Sequence, residues 1–155
     1  MIVRRAEVKD IDFINKLLSQ VLEIHAKLRP DLFISGTRKY TTEELTQIIK
    51  NDQTPIFVAE EDSTLYGYCF CMIEETKNSN NLHDMKTLYI DDLCVDENAR
   101  GKHVGRTLYK YVVDYARSIG CQNITLNVWE GNHNARTFYE KMGFGVRKTM
   151  MEKKL

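Results

Sequence analysis

The stretch Leu88–Arg106 constrains this chain more than any other. It begins as a strand and passes through a short polar loop into a turn bearing Gly101 and Gly105. From Val104 it continues as an amphipathic helix. The first amides of a helix have no intrahelical acceptor, and the helix dipole is positive at that end. A strand, a glycine turn and a helix start in this order therefore form an anion site, and a phosphate group of a cofactor is the expected occupant.

The remaining chain supplies a scaffold for that turn. Its 155 residues suit one domain spanning 1–155, with a core of ordinary size. Lys+Arg and Asp+Glu each number 22, so no net field favours nucleic acid or an anionic membrane. Arg4, Arg5, Glu7, Lys9 and Asp10 interrupt any apolar run at the N-terminus, which does not read as a signal peptide. No segment approaches the run of 18 or more apolar residues that a membrane span requires. Cys69, Cys71, Cys94 and Cys121 contain no CxxC pair, so no metal site is expected. Reduced, mostly buried thiols in a cytoplasmic protein are the simpler reading.

Periodicity orders the elements. Residues 2–5 read as a strand. Asp10 is a candidate N-cap for a helix whose apolar stripe includes Ile11, Ile14, Leu17, Leu18, Val21 and Leu22. His25 lies at the edge of that stripe and reads as a packed histidine. Pro30 should stop the helix near Arg29. Residues 30–40 form a loop in which Phe33, Arg38 and Tyr40 either wall a substrate site or simply pack a connection. Thr41 opens a second helix as its cap, followed by acidic residues suited to the positive helix end. Strands follow at 55–60, 65–74 and 85–95. After the helix from Val104, a strand at 123–129 should return parallel to its predecessor. A short helix from Asn132 to Met142 precedes a last strand over 144–152. The expected fold is α/β (α+β). It has a mixed, mostly antiparallel central sheet of six to seven strands, about four helices, and two strands splayed at the cofactor site.

This order and three motifs resemble the GCN5-related N-acetyltransferase (GNAT) superfamily. Leu93–Arg100 resembles the strand and loop before the family's acyl-CoA turn. Arg100-Gly-Lys-His-Val-Gly105 is similar to the Arg/Gln-x-x-Gly-x-Gly/Ala motif. Asn134-Ala-Arg-Thr-Phe-Tyr-Glu-Lys-Met-Gly-Phe144 matches the Asn-x-x-x-x-Tyr-x-x-x-Gly-Phe pattern. One position departs: His103 stands where the family usually has glycine. Its side chain should be tolerated, because the phosphate donors are backbone amides.

The resemblance implies acetyl transfer from acetyl-CoA to an amine, without a metal. Backbone groups of Leu93, Cys94 and Val95 would line the acyl-pantetheine arm. The amides from Arg100 through Gly101, Lys102, His103, Val104, Gly105 and Arg106 would cradle the pyrophosphate. Asn134 matches the asparagine that bonds the pantetheine, with helix capping as its plainer role. Tyr139 matches the tyrosine that protonates the leaving thiolate, with core packing as its plainer role. A base, or a water chain leading to one, must deprotonate the amine. Asp91 is the first candidate, as base or amine-binding carboxylate; Asp92 is second and Glu130 third. Adjacent strand residues face opposite ways, so at most one of the aspartates should face the substrate unless a bulge intervenes. Cys94 lacks a His/Asp partner, and an acyl-cysteine route is disfavoured.

A small-molecule amine such as a polyamine or amino acid is the favoured acceptor, with a protein amine second. Residues 29–41 and 76–84 are the expected acceptor loops. A non-catalytic acyl-CoA-binding sensor or interaction module is the alternative, and Tyr139 with Asp91 argues against it. A nucleotide-binding turn would require a Walker lysine followed by Ser/Thr, which Gly101-Lys-His103 does not supply. Oligomeric state is open, a homodimer included.

Overall fold

A computed structural model describes residues 1–155. The order is β1 (Ile2–Arg5), α1 (Ile11–Leu28), α2 (Thr42–Lys50), β2 (Ile56–Glu61), β3 (Thr64–Thr76), β4 (Met85–Val95), α3 (Val104–Ser118), β5 (Asn123–Leu126) and α4 (His133–Lys141). Short 3-10 turns precede α1 and follow β4. The strands lie in the sheet in sequence order, β1 to β5. The first four are mutually antiparallel, and β5 runs parallel to β4.

Alternation along the strands divides the core between the two faces of this sheet. Ile56 and Val58 of β2, with Tyr68 and Phe70 of β3, face Ile11, Ile14, Leu17 and Leu18 of α1 and Leu45 and Ile49 of α2. Phe57 and Ala59, with Cys69 and Cys71, face Val104, Leu108, Val112 and Ala116 of α3. Leu17 and Leu108 retain no exposed surface. Full burial of a side chain of that size is worth about 1.5–3 kcal/mol.

The local signals for helix starts hold in one case and are replaced in another. At α2 the Thr41 hydroxyl accepts the Glu44 amide at 3.1 Å, while the Glu44 carboxylate accepts the Thr41 amide at 2.8 Å. Asp10 precedes α1 but does not cap it by side chain. Its carboxylate turns back to accept the Glu7 amide at 2.8 Å and both terminal nitrogens of Arg4, at 2.7 and 3.0 Å. Burial alone would raise the Asp10 pKa, but the Arg4 and Glu7 hydrogen bonds outweigh it and hold the carboxyl below its ordinary value.

Two sequence expectations are corrected. The sheet has five strands, not six to seven. The strand expected over 144–152 pairs with nothing in this chain, and residues 145–155 are exposed and irregular. The strand expected over 123–129 ends at Leu126.

Gly67 sets how closely α3 approaches the sheet. A Cβ there would lie 2.7 Å from the Cys94 carbonyl oxygen and 3.2 Å from side-chain atoms of Val104 and Leu108. Helix and strand are thus pressed together directly behind the turn that precedes α3. Gly67→Ala should cost about 1–3 kcal/mol through this overpacking, read as a lowered urea midpoint with an unchanged m-value.

Candidate active site

The site begins where two parallel strands part. β4 and β5 are paired from Thr87 opposite Asn123 to Ile90 opposite Leu126, and no further. β4 continues to Val95, supported only from the β3 side, where Gly67 to Phe70 lie opposite Val95 to Asp92. On the open side, Asp91 through Val95 face a slot with no strand partner. Leu93, Cys94 and Val95 therefore occupy a stretch whose open edge can pair an extended ligand arm as an added strand would.

The slot leads to the turn before α3. The amides of Arg100, Gly101, His103, Val104, Gly105 and Arg106 find no acceptor in the chain, and the first bonded amide of α3 is Thr107, at 3.0 Å from the His103 carbonyl. Lys102 is the exception in this run: its amide is bonded to Ala99 and its ammonium lies 4.5 Å from the centroid of the Tyr66 ring. Unpaired amides at a helix start, flanked by Arg100, Lys102 and Arg106, fit a pyrophosphate.

His103 occupies the left-handed region, at φ 58°, and Gly101 lies at φ 85°. Glycine enters this region without penalty, which accounts for the residue expected at 103. Histidine is among the side chains that also enter it, so the turn closes with His103 in place.

Asp91 and Asp92 both line one cavity, of about 320 Å³, with His25, Phe33, Arg38 and Lys39. Simple alternation would have sent one of them away. A β-bulge prevents this: Phe70 lies opposite Asp92 and Cys71 opposite Ile90, which leaves Asp91 without a partner residue. The Asp91 carboxylate accepts the Lys39 ammonium at 3.0 Å. Burial opposes charge on Lys39, but Asp91 outweighs it and holds the lysine pKa above its ordinary value. Asp92 keeps a little accessible surface yet is ringed by protein, and the Tyr68 hydroxyl donates to it at 2.5 Å. Burial raises the Asp92 pKa to about 6, with Tyr68 and Lys39 opposing that rise.

The cavity wall is aromatic. Phe33 lies tilted at 5.2 Å from His25 and edge-on at 5.4 Å from Trp129. Burial, reinforced by Lys39, lowers the His25 pKa and favours the neutral ring. Of the loop residues proposed as a wall, Phe33 and Arg38 line the cavity, whereas Tyr40 stacks on Phe70 of the core. Residues 76–84 lie at the far end of β4, where Thr76 faces Met85, and do not reach the cavity.

Tyr139 sits on α4 between Phe138 and Phe144, with ring centroids 5.2 and 5.6 Å away. Burial, and then the neighbouring Cys69 and Asp92, push its pKa well above the ordinary phenol value, so it is protonated at neutral pH. Asn132, not Asn134, caps α4 by accepting the Ala135 amide at 3.3 Å. Asn134 is exposed and its side chain is free of intramolecular hydrogen bonds. Cys94 is buried with its thiol pushed up to about 12 by burial and by Asp92, which suits a packed thiol and not a nucleophile. Glu130 is exposed and lies outside the cavity. Lys39 and Tyr68 were not foreseen. Neither had a distinguishing signal: Tyr68 shares its strand with Tyr66, and Lys39 lies in a loop of several charged residues.

Comparison with known proteins places the chain in a family. The model of the acetyltransferase (GNAT) family matches residues 19–144. The chain belongs to this family and is an N-acetyltransferase. Two similar proteins come from Bacillus subtilis. The uncharacterized N-acetyltransferase YhfO is 30% identical over 93% of this chain and 89% of its own length. A putative [ribosomal protein bS18]-alanine N-acetyltransferase is 27% identical over 94% of this chain and 83% of its own. The X-ray structure of a tetramutant of the BH1408 protein from Bacillus halodurans superimposes with a TM-score of 0.95 at 30% identity. It covers 100% of this chain and 100% of that one.

The left-handed turn supplies a test. His103→Val places a β-branched residue where φ is positive and should cost about 1–2 kcal/mol. His103→Gly should not destabilise. Urea denaturation of the two variants beside the parent chain reads the difference.

Proposed function

We propose that this chain is a cytoplasmic, single-domain acetyltransferase that transfers acetyl from acetyl-CoA to the primary amine of a small molecule by direct attack. The observation that carries this reading is the paired carboxylates. A bulge turns Asp91 and Asp92 into one cavity beside the open edge of β4. Two carboxylates at the acyl slot favour a cationic acceptor such as a polyamine or the amino group of an amino acid.

In this reading the Leu93–Val95 edge and the amides from Arg100 to Arg106 hold acetyl-CoA, with Asn134 as a further polar contact from α4. Bound there, acetyl-CoA supplies the acetyl group. Asp91 exchanges its Lys39 partner for the incoming ammonium and positions it. Asp92 is the better base. Its pKa near about 6 leaves it mostly ionised at neutral pH while still basic enough to take a proton. This inverts the order suggested by the resemblance, and the reason is Lys39, which neutralises Asp91. Tyr139, kept protonated by burial, donates its hydroxyl proton to the departing thiolate.

A protein N-terminal amine is the second reading, favoured by the name of the bS18-alanine relative. Thiol release over a panel of amines and N-terminal peptides separates the two. Tight CoA binding with no turnover on any member would instead favour an acyl-CoA sensor.

The pH profile follows from Asp92. The base works ionised, so turnover should rise as pH increases through about 6. Asp92→Asn should remove that limb and lower kcat by about 10²–10⁴-fold. An unaltered profile would exclude Asp92 as base. The same raised pKa means that ionising Asp92 costs folding stability. The cost is absent at low pH and grows as pH rises from the unfolded value toward about 6.

Tyr139→Phe keeps the ring between Phe138 and Phe144 and removes only the hydroxyl group that would donate the proton. It should lower kcat by about 10²-fold or more with CoA affinity retained. Equal loss of both, by steady-state kinetics and calorimetry, would make Tyr139 a packing residue.

A further inference from the structure

The cavity beside β4 is not simply acidic. Its charged lining residues balance, with Asp91 and Asp92 set against Arg38 and Lys39. His25 adds no charge, because burial and Lys39 favour its neutral ring. Lys39 is already paired, at 3.0 Å from the Asp91 carboxylate. Arg38 is not: its guanidinium makes no hydrogen bond and no ion pair. The loop that carries it is nonetheless held. The Glu23 carboxylate of α1 accepts the Ser35 hydroxyl at 2.6 Å and the Gly36 amide at 2.8 Å. The Thr37 hydroxyl donates to the Ile34 carbonyl at 2.7 Å. A guanidinium with all its donors unspent, on a tethered loop at a cavity wall, suits a carboxylate.

Amine binding makes this balance consequential. In the reaction proposed above, the incoming ammonium takes the place of Lys39 on Asp91. Lys39 then loses its counter-ion, next in the chain to an arginine that has none. A polyamine brings only positive charge. It would leave Arg38, Lys39 and its own remaining ammonium groups together in a cavity of about 320 Å³. Like charges crowded in this way oppose binding. An acceptor that carries a carboxylate beside its ammonium removes the imbalance. Lys39 ends a flexible stem and stays close to Asp91 after release, so the carboxylate need lie only a few bonds from the amine.

We propose, on the reading of Asp91 and Asp92 given above, that the acceptor is a zwitterion, an α-amino acid with an apolar side chain, whose carboxylate is held by Arg38 and the displaced Lys39. The remaining wall fits the rest of such a molecule, since Val21, Leu22, Leu32 and Phe33 line the same cavity. Ammonium, carboxylate and apolar body each have a surface of matching chemistry. Arg38 thereby discriminates among acceptors that present the same amine.

Leucine, methionine and phenylalanine, each beside its amide and its decarboxylated amine, isolate the carboxylate, and spermidine represents the polyamines. Thiol release from acetyl-CoA and calorimetric binding to the CoA-loaded chain are measured for each. At least one amino acid should be preferred over its amide by about tenfold or more, mainly through KM, as expected for a lost hydrogen bond to a charged group. Arg38→Gln should bring that preference close to one, and Arg38→Glu should turn it in favour of spermidine. Arg38 is exposed, so neither substitution disturbs the core. Amides or spermidine used as well as the amino acids would overturn the proposal and leave acetyl transfer standing. A preference that survives both Arg38 substitutions would do the same. Amino-acid binding that depends on Arg38 but releases no thiol would support the carboxylate site and remove the transfer reading. No binding and no turnover of any amino acid would overturn the proposal outright.

Discussion

Parallel pairing between β4 and β5 stops after Ile90 and Leu126, and the active site is what that interruption exposes. A strand losing a neighbour within a sheet ordinarily leaves costly unsatisfied amides. Here the loss is tolerated because β3 bonds the other edge of β4 through to Val95 and α3 packs closely over Gly67. The slot is thus backed by β3 and α3 and open on the β5 side. The turn before α3 completes the opening with a second set of unpaired amides, so one end of the sheet presents donors and the neighbouring cavity presents carboxylates. That division, donors at the turn and carboxylates in the cavity, arises without any net charge on the protein.

The electrostatics of the cavity depend on neighbours drawn from distant parts of the chain. Asp91 and Asp92 are adjacent, yet Lys39 of the α1–α2 loop meets one and Tyr68 of β3 meets the other. Two carboxylates of one residue type acquire different properties because one is neutralised by an ion pair and the other is desolvated beside a phenol. Like groups are thus separated by environment within a single cavity.

Much of this was legible from the sequence, for identifiable reasons. Helices with strong apolar stripes, the Thr41 helix cap and the strand-turn-helix at Leu88–Arg106 are local patterns, and local patterns are written in consecutive residues. The two glycine-containing motifs pointed to the family because each fell on its expected element. What could not be read was contact between segments far apart in sequence. Alternation alone could not locate the bulge at Asp91, which appears only as a register shift against β3. Nothing in residues 30–40 marked Lys39 over Arg38 as the partner of a carboxylate. Residues 144–152 have the composition of a strand, but pairing requires an available edge, which composition does not reveal. His103 shows the same distinction: the turn demands a left-handed backbone, not a particular residue, and a histidine meets that demand.

The Tyr68–Asp92 hydrogen bond also has a reach beyond the cavity. Tyr68 has no exposed surface and is packed among Phe70, Leu17 and the α1–α2 side of the core. Part of what sets the proton affinity of Asp92 is therefore anchored in the hydrophobic interior, alongside the cavity-lining Lys39 and Asp91. Small changes of volume in that interior would shift the phenol by fractions of an ångström and with it the strength of a short hydrogen bond. Apolar substitutions in the core thus become a means of shifting the Asp92 pKa while every cavity-lining side chain stays the same.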